Sequence, residues 1–286
     1  MIYAQPGLFL RHEPDGNPAP LLVDVSRSGR EYPAEYRSPL SFTTVHDNVS
    51  MYVDELWAGA PAAGGVLLYC CFPNTWVDVN RGESDMDPAV MDGKWPKELK
   101  PTARTLEGLG LIKTKSRYGE PFQERKLTVA EIEERLASWY RPYHAELKRL
   151  IDALHGRFGA LRQISCHCMS AVGAPTHPDA GKPRADFCVS DLKGKTASRE
   201  AMALVVDTLK SYGYSVSVND PYIGNELIDR HGNPARGIDS IQVEINKKLF
   251  MDAKTFRKTA GFGRLKADLD RLLAVVVRDT LARARR

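Results

Sequence analysis

Short apolar runs with the length and composition of buried strands alternate with helix-periodic segments along almost the whole chain, and that alternation is the pattern of a layered α/β fold. Pro20–Val25 (PLLVDV) and Val66–Phe72 (VLLYCCF) are such runs, apolar enough for strands covered on both faces. Ser240–Asn246 (SIQVEIN) alternates with period two, which places Ile241, Val243 and Ile245 on one face and Gln242, Glu244 and Asn246 on the other. Leu161–Ser165 is a further strand running into Cys166-His167-Cys168-Met169. Ala185–Val189 and Ser215–Asn219 read as strands on either side of a helix over Ala197–Tyr212, which Gly213 stops. Asp47 caps a predicted helix over 48–60, with Val49, Val53, Leu56 and Trp57 at helical spacing. The clearest helix is expected over Thr128–Phe158, opened by the capping-box pair Thr128 and Glu131 and kinked at Pro142. Trp76–Arg81 alternates polar and apolar residues as a period-two segment or an irregular strand end, Gly82–Pro121 reads as a long functional loop, and Ala253–Arg286 as a terminal helix. With no repeat or linker between these elements, the expectation is one α/β domain over 1–286.

The 286 residues are 43% hydrophobic and 27% charged, a balance that excludes both a disordered polar chain and a membrane-embedded one. No apolar stretch approaches the roughly 18 residues of a membrane span, and the opening MIYAQPGLFLRHEPDG lacks the basic end and apolar run of a secretion signal, so a cytoplasmic protein is expected. Forty Lys and Arg against 36 Asp and Glu leave a net charge of +4, too little to call for nucleic acid as a partner. The five cysteines, an odd count, read as free thiols. Nothing in the sequence speaks to the oligomeric state.

Ligands of α/β sheets sit beyond the strand ends, so the polar residues of interest follow the apolar runs. Five clusters do so: Ser26-Arg27-Ser28-Gly29; Asp78-Val79-Asn80-Arg81; Cys166-His167-Cys168; Arg184-Ala185-Asp186-Phe187 with Asn219-Asp220-Pro221-Tyr222; and Gln242-Val243-Glu244. A histidine, a carboxylate on a strand and several Arg and Asn residues converging on one rim would suit metal-assisted hydrolysis of an anionic substrate. Each member also has a plainer role. His167 fits a hydrogen-bonded structural residue, Glu244 the solvent face of a strand, and Arg81 and Arg184 surface ion pairs. Cys166-x-Cys168 lacks the second Cys or His pair of a structural zinc site.

The segments FPNTWVDVNR, ISCHCMS, RADFCVSDLKGKTAS, VNDPYIGNELIDRHGNP and IQVEINKKLFMD, with SRSGREYP, GLGLI and YRPYHAEL, in this order and spacing resemble the N-formylglutamate amidohydrolase family from about Pro20 to Asp252. The resemblance implies a fold similar to the zinc-dependent exopeptidases, a mixed central sheet with helices on both faces. It further implies hydrolysis of an amide on a zinc ion, with a glutamate moving the proton. Glu244 matches that glutamate and His167 a metal-ligand histidine, with Cys168 where the family has Ser. Asn80 and Arg81 match a pair suited to a substrate carboxylate. Arg184, Asn219, Tyr222 and Gln242 match further substrate-binding positions. The substrate so implied is a small anion, an N-acylated and in particular N-formylated acidic amino acid.

Three departures bear on the metal. Arg27 stands where the family's first loop carries a histidine, Ser50 where it carries an acid, and Asn74 where an arginine is common. A guanidinium cannot ligate zinc. Two readings stay open. In one, His46 or Asp47, one helical turn before Ser50, joins His167 in a rearranged metal centre. In the other, Arg27 takes the metal's place as a catalytic cation, or the chain only binds a carboxylate ligand.

Overall fold

The structure, a computed structural model, describes residues 1–284. Its strands are β1 (Ile2–Gln5), β2 (Phe9–His12), β3 (Leu21–Val25), β4 (Val66–Cys70), β5 (Met91–Asp92), β6 (Leu127–Thr128), β7 (Leu161–Met169), β8 (Phe187–Ser190), β9 (Val216–Val218) and β10 (Ile238–Asn246). Its α-helices are α1 (Phe42–His46), α2 (Val53–Leu56), α3 (Ala103–Leu106), α4 (Val129–Arg135), α5 (Arg141–Phe158), α6 (Arg199–Ser211), α7 (Glu226–His231) and α8 (Gly261–Ala284).

Eight strands form one mixed sheet in the order β1-β2-β4-β3-β7-β10-β8-β9, and β5 and β6 pair separately. The centre, β4-β3-β7-β10, is parallel, so the C-terminal ends of these strands share one rim. Ile164, Ile241 and Val243 face a core completed by Leu56, Val205, Leu209, Leu269 and Leu273 from α2, α6 and α8. Leu22, Leu161 and Ile238 face the opposite side, where Tyr143, Leu147 and Leu150 of α5 cover them. Helices therefore lie on both faces, as expected of an α/β layer architecture.

The alternation in SIQVEIN holds along β10, all nine residues of which are buried. That burial rules out the solvent-facing reading of Glu244. The strand expected to begin at Leu161 continues through His167 to Met169. Thr128 and Glu131 make the expected capping box, and the long helix is broken by a π-helical turn over Leu136–Tyr140, just before Pro142. Proline cannot supply the N–H that an unbroken α-helix needs there, and the wider turn absorbs the fault.

Three expectations need correction, and one element is new. The segment 48–60 is helical only over Val53–Leu56 and otherwise turns, with Tyr52 left-handed at its start. Trp76–Arg81 is no strand, although Val77 and Val79 do enter the core while Asp78 and Asn80 face the other way into buried polar surroundings. The terminal helix starts at Gly261 rather than Ala253, because the Asp252 carboxylate accepts from the Lys254 and Thr255 N–H groups and holds a turn; positions 285–286 lie outside the described residues. The hairpin β1–β2 was not anticipated, though Pro6-Gly7 between two β-rich runs is a turn signal. Among the described residues no helix is long and apolar enough to cross a membrane.

Gly29 shows how closely the loop after β3 is pressed to the end of β4. A Cβ there would lie inside contact distance of the backbone of Cys71 and Phe72. Gly29→Ala is expected to lose about 1–3 kcal/mol in urea unfolding, the range for overpacking a tight site. A variant as stable as the parent would show that this loop is free to move.

Candidate active site

Strand register brings the polar residues together. Glu244 pairs with His167 across β10 and β7, Gln242 with Ser165, and Asp24 of β3 with Ser165 from the other side. Paired residues of parallel strands project from the same face, so Asp24, Ser165, His167, Gln242 and Glu244 share the α5 side of the sheet, near its C-terminal rim. Two loops complete the group: Ser26–Gly29, continuing β3, and Thr75–Arg81, which follows β4. Three side chains of the long helical segment hold the second loop by its carbonyls. Arg135 Nη1 donates to Trp76 O at 3.0 Å, His144 Nε2 to Val79 O at 2.9 Å and Tyr140 Oη to Arg81 O at 2.7 Å.

The loops meet through a two-pronged ion pair. Arg27 Nε donates to Asp78 Oδ1 at 3.0 Å and Nη2 to Oδ2 at 2.8 Å. The Asp78 side chain is 1% exposed and also faces Lys113 Nζ at 4.0 Å. Burial alone would push the Asp78 carboxyl up, but Arg27, Lys113 and Arg81 hold it below the usual range. Burial likewise opposes charge on Arg27, and Asp78 and then Glu244 outweigh it. Both partners are therefore charged. Burial lowers Lys113 to about 7, with Asp78 resisting and the neighbouring arginines reinforcing.

A second network runs through uncharged groups. The Leu227 N–H donates to Asn80 Oδ1 at 3.0 Å, and Asn80 Nδ2 lies 3.2 Å from both Gln242 Oε1 and His167 Nε2. Gln242 Nε2 in turn donates to Glu244 Oε1 at 3.2 Å. Ser165 Oγ lies 3.3 Å from His167 Nε2 and donates to Asp24 Oδ1 at 2.9 Å, while Gln163 Nε2 donates to Asp24 Oδ2 at 2.8 Å. Burial dominates the acid–base character of this group. It raises Glu244 to about 7, against the pull of Arg27, Arg184 and Lys247, and raises Asp24 to about 7, against its two hydrogen bonds. It lowers His167 to about 3, with the Arg27 charge adding to the effect.

Further cations ring this centre. Arg184 forms a two-pronged pair with Asp179 at 2.7 and 2.8 Å, donates to Ser170 Oγ at 3.0 Å and lies over the Tyr222 ring at 5.1 Å. His177 stands between Arg184, Arg104 and the Tyr222 hydroxyl at 3.0–3.3 Å. Beyond His177 opens a cleft of about 550 Å³ that Lys115, Thr176 and Pro178 also line. Arg81 reaches Asp85 at 3.4 Å, and its buried Nε has no partner among the described residues.

Of the residues singled out in the sequence, Arg27, Asn80, Arg81, His167, Gln242 and Glu244 thus gather here, with Arg184 and Tyr222 at the outer end. Asn219 does not join the pocket; its side chain accepts from the Asp191 and Lys193 N–H groups and donates to Asp191, which fixes a turn. His46 and Asp47 do not join His167 either. His46 lies on Phe42 and hydrogen-bonds Tyr32, while Asp47 pairs with Arg117 and Lys247. Among the described residues no three His, Cys, Asp or Glu side chains stand together as a metal centre needs. Sequence reasoning assigned no role to Asp78, Lys113 or Asp24, although a charged residue inside PLLVDV was a visible signal.

The signature of the N-formylglutamate amidohydrolase family matches residues 19–251. An N-formylglutamate deformylase from Pseudomonas putida is 24% identical over 237 residues, 82% of each chain. The crystal structure of an N-formylglutamate amidohydrolase from Ralstonia eutropha JMP134 superimposes with a TM-score of 0.90 at 35% identity, covering 96% of this chain and 98% of that one. A gene product from Agrobacterium tumefaciens shares the fold, with a TM-score of 0.68 at 16% identity over 91% of both chains.

The Asp24 carboxyl, raised from 3.8 to about 7, gives a signed expectation. A carboxyl raised on folding contributes stability below its unfolded value that is lost as pH climbs through the folded one. Asp24→Asn removes that loss. Relative to the parent, the variant should gain on the order of 2–4 kcal/mol between pH 4 and pH 8 in urea unfolding. A constant difference across that range would mean that Asp24 ionises normally.

Proposed function

The chain belongs to the N-formylglutamate amidohydrolase family, and from that premise we propose that it hydrolyses the amide C–N bond of a small N-acylated, in particular N-formylated, acidic amino acid. The observation that carries the reading is Glu244: a buried carboxyl brought to about 7, steadied by Gln242 and close enough to Arg27 and Arg184 to feel their charge. A base of that strength is half ionised at neutral pH and returns its proton readily, as a general base that must later act as an acid requires.

In this reading Glu244 takes a proton from water as the water oxygen adds to the amide carbonyl carbon and the carbonyl electron pair moves onto its oxygen. When that pair returns and the C–N bond breaks, Glu244 passes the proton to the departing nitrogen. Formate and the free amino acid are the products of an N-formyl substrate. Arg81 is the receptor for a substrate carboxylate, since a guanidinium offers parallel N–H donors to both oxygens, while Arg184, whose Nε and Nη2 are held by Asp179, contributes its charge. The buried Arg81 Nε, without a partner among the described residues, supports that role. Tyr222, pushed up by burial and then by the Glu244 charge, stays a neutral donor. The residues present do not fit a zinc ion: His167 has neither His46 nor Asp47 beside it, and the first loop, matched by its sequence alone, carries Arg27, whose guanidinium cannot ligate, in place of a histidine.

Amine release from N-formyl, N-acetyl and N-carbamoyl derivatives of glutamate, aspartate and leucine tests the proposal. Acidic substrates should be favoured by 100-fold or more in kcat/KM, and equal turnover of leucine derivatives would overturn the substrate class. Glu244→Gln should lose about 10²–10⁴ in kcat with KM changed little. The rate should rise with pH through a limb near 7, and Arg184→Met should move that limb upward, because Arg184 holds Glu244 down. A parent protein that binds these compounds but turns over none would be a binder on an enzyme fold.

A further inference from the structure

We infer that the site works without a metal ion and that the Arg27 guanidinium, together with the Nδ1–H of His167, receives the substrate's carbonyl oxygen as negative charge develops on it. The inference rests on the hydrolase reading above and names the electrophile of that reaction.

The argument starts from a backbone group. The Leu227 N–H can only donate, so the Asn80 atom 3.0 Å from it is the amide oxygen. The Asn80 nitrogen therefore faces Gln242 Oε1 and His167 Nε2, each at 3.2 Å, and has one hydrogen for each. Turning the Asn80 amide over would set its NH₂ against the Leu227 N–H, so the orientation is locked. Ser165 Oγ, 3.3 Å from Nε2, competes for the opposite role while it donates to Asp24, but its hydroxyl can rotate and the Asn80 amide cannot, so His167 Nε2 accepts and in the neutral ring the proton sits on Nδ1. Nδ1 is buried and has no partner among the described residues. A buried N–H donor left unpaired is costly, so a ligand that brings an acceptor to it is favoured.

The same lock disfavours zinc. A histidine that binds a metal through one nitrogen keeps a proton on the other, which it donates to a carboxylate, carbonyl or water. Here ligation through Nδ1 would turn Nε2–H against the Asn80 NH₂, and ligation through Nε2 would displace Asn80 altogether. A dication would also stand beside Arg27, whose charge already falls on the His167 ring. Arg27 is held in place of the missing charge: Nε and Nη2 are taken by Asp78, and Nη1 has no partner among the described residues. As water adds to the carbonyl carbon, the oxygen receiving the displaced electron pair can accept from Nη1 and Nδ1–H together. Both donors are pre-set by Asp78 and Asn80, the arrangement that makes an oxyanion site effective.

The test combines metal analysis, spectroscopy and kinetics. Protein made in zinc-supplemented medium and purified without chelator should hold far less than one equivalent of metal, and its turnover should survive dialysis against EDTA unchanged. Long-range proton–nitrogen correlation spectra should show the His167 ring protonated on Nδ1. Arg27→Met should lower kcat by about 10²–10³, the cost of an oxyanion donor, with a smaller effect on KM. Asn80→Asp gives an independent arm: a carboxylate accepting from Nε2–H frees Nδ1, so calorimetric titration with zinc should show tighter binding than in the parent. Stoichiometric zinc whose removal abolishes turnover and whose return restores it would overturn the inference, as would a ring protonated on Nε2. If no acylated amino acid is turned over with or without zinc, the hydrolase reading fails, while the ring spectra and the zinc titrations still decide the state of His167.

Discussion

The buried pairing of Arg27 with Asp78 is the contact on which the rest of the site depends. It joins the loop after β3 to the loop after β4, and among the groups that keep the buried Asp78 carboxylate charged Arg27 is the strongest. Breaking such a pair from one side leaves an uncompensated buried charge, which is more damaging than the pair itself is stabilising. That asymmetry explains the surrounding investment in position: the Asn80 N–H also donates to Asp78 Oδ1 at 3.1 Å, and the Ser50 N–H donates to the Arg27 carbonyl at 2.8 Å.

Behind the pair stands the long helical segment. The π turn at Leu136–Tyr140 shifts the register between Arg135 on one side and Tyr140 and His144 on the other, and all three donate to carbonyls of the loop that carries Asp78, Asn80 and Arg81. Arg135 is also stacked on the Trp76 ring at 3.6 Å from its centre. A loop without a strand ladder of its own thus has its backbone satisfied by side chains. This lets Val77 and Val79 enter the core while Asp78 and Asn80 face the site.

Much of this was legible in the sequence where periodicity and burial agree. SIQVEIN gave its faces directly, because every second residue of a buried strand must be apolar on the core side, and the run into SCHCM was legible as a strand. The alternation of Trp76–Arg81 was legible too, but not its lack of a partner strand, since side-chain donors substitute for a ladder only in three dimensions. The hairpin β1–β2 showed only its turn signal, for another reason: β1 is exposed throughout, so no burial pattern marks that strand. Asn219 was misplaced because a motif carries residue identity without carrying the local turn, and His46 and Asp47 because the chain after them turns instead of running as a helix to Ser50. Asn219 has φ +53, a left-handed conformation that asparagine tolerates, and its amide is used up in stabilising the turn. The partner of Arg27 is visible in the same motif as Asn80, yet only the structure shows that Asp78 points at the guanidinium.

The proposed anionic substrate would enter among groups whose charges are largely matched. Arg27 pairs with Asp78, Arg81 with Asp85, Arg184 with Asp179 and Lys247 with Asp47, while burial drives Lys113 down to about 7 so that part of its positive charge is relinquished. On that proposal a substrate carboxylate entering the group favours the charged form of Lys113. It would also act on Glu244 in the direction the proposed base needs, because a negative neighbour raises a carboxyl's pKa and so strengthens the base. The cations Arg27, Arg184 and Lys247 hold Glu244 below the basicity that burial alone would give it, and on the proposed reading binding restores part of what they take away. Recognition and proton transfer, as proposed, are coupled through one electrostatic field, with Asp78 setting how much of it Arg27 can lend to each.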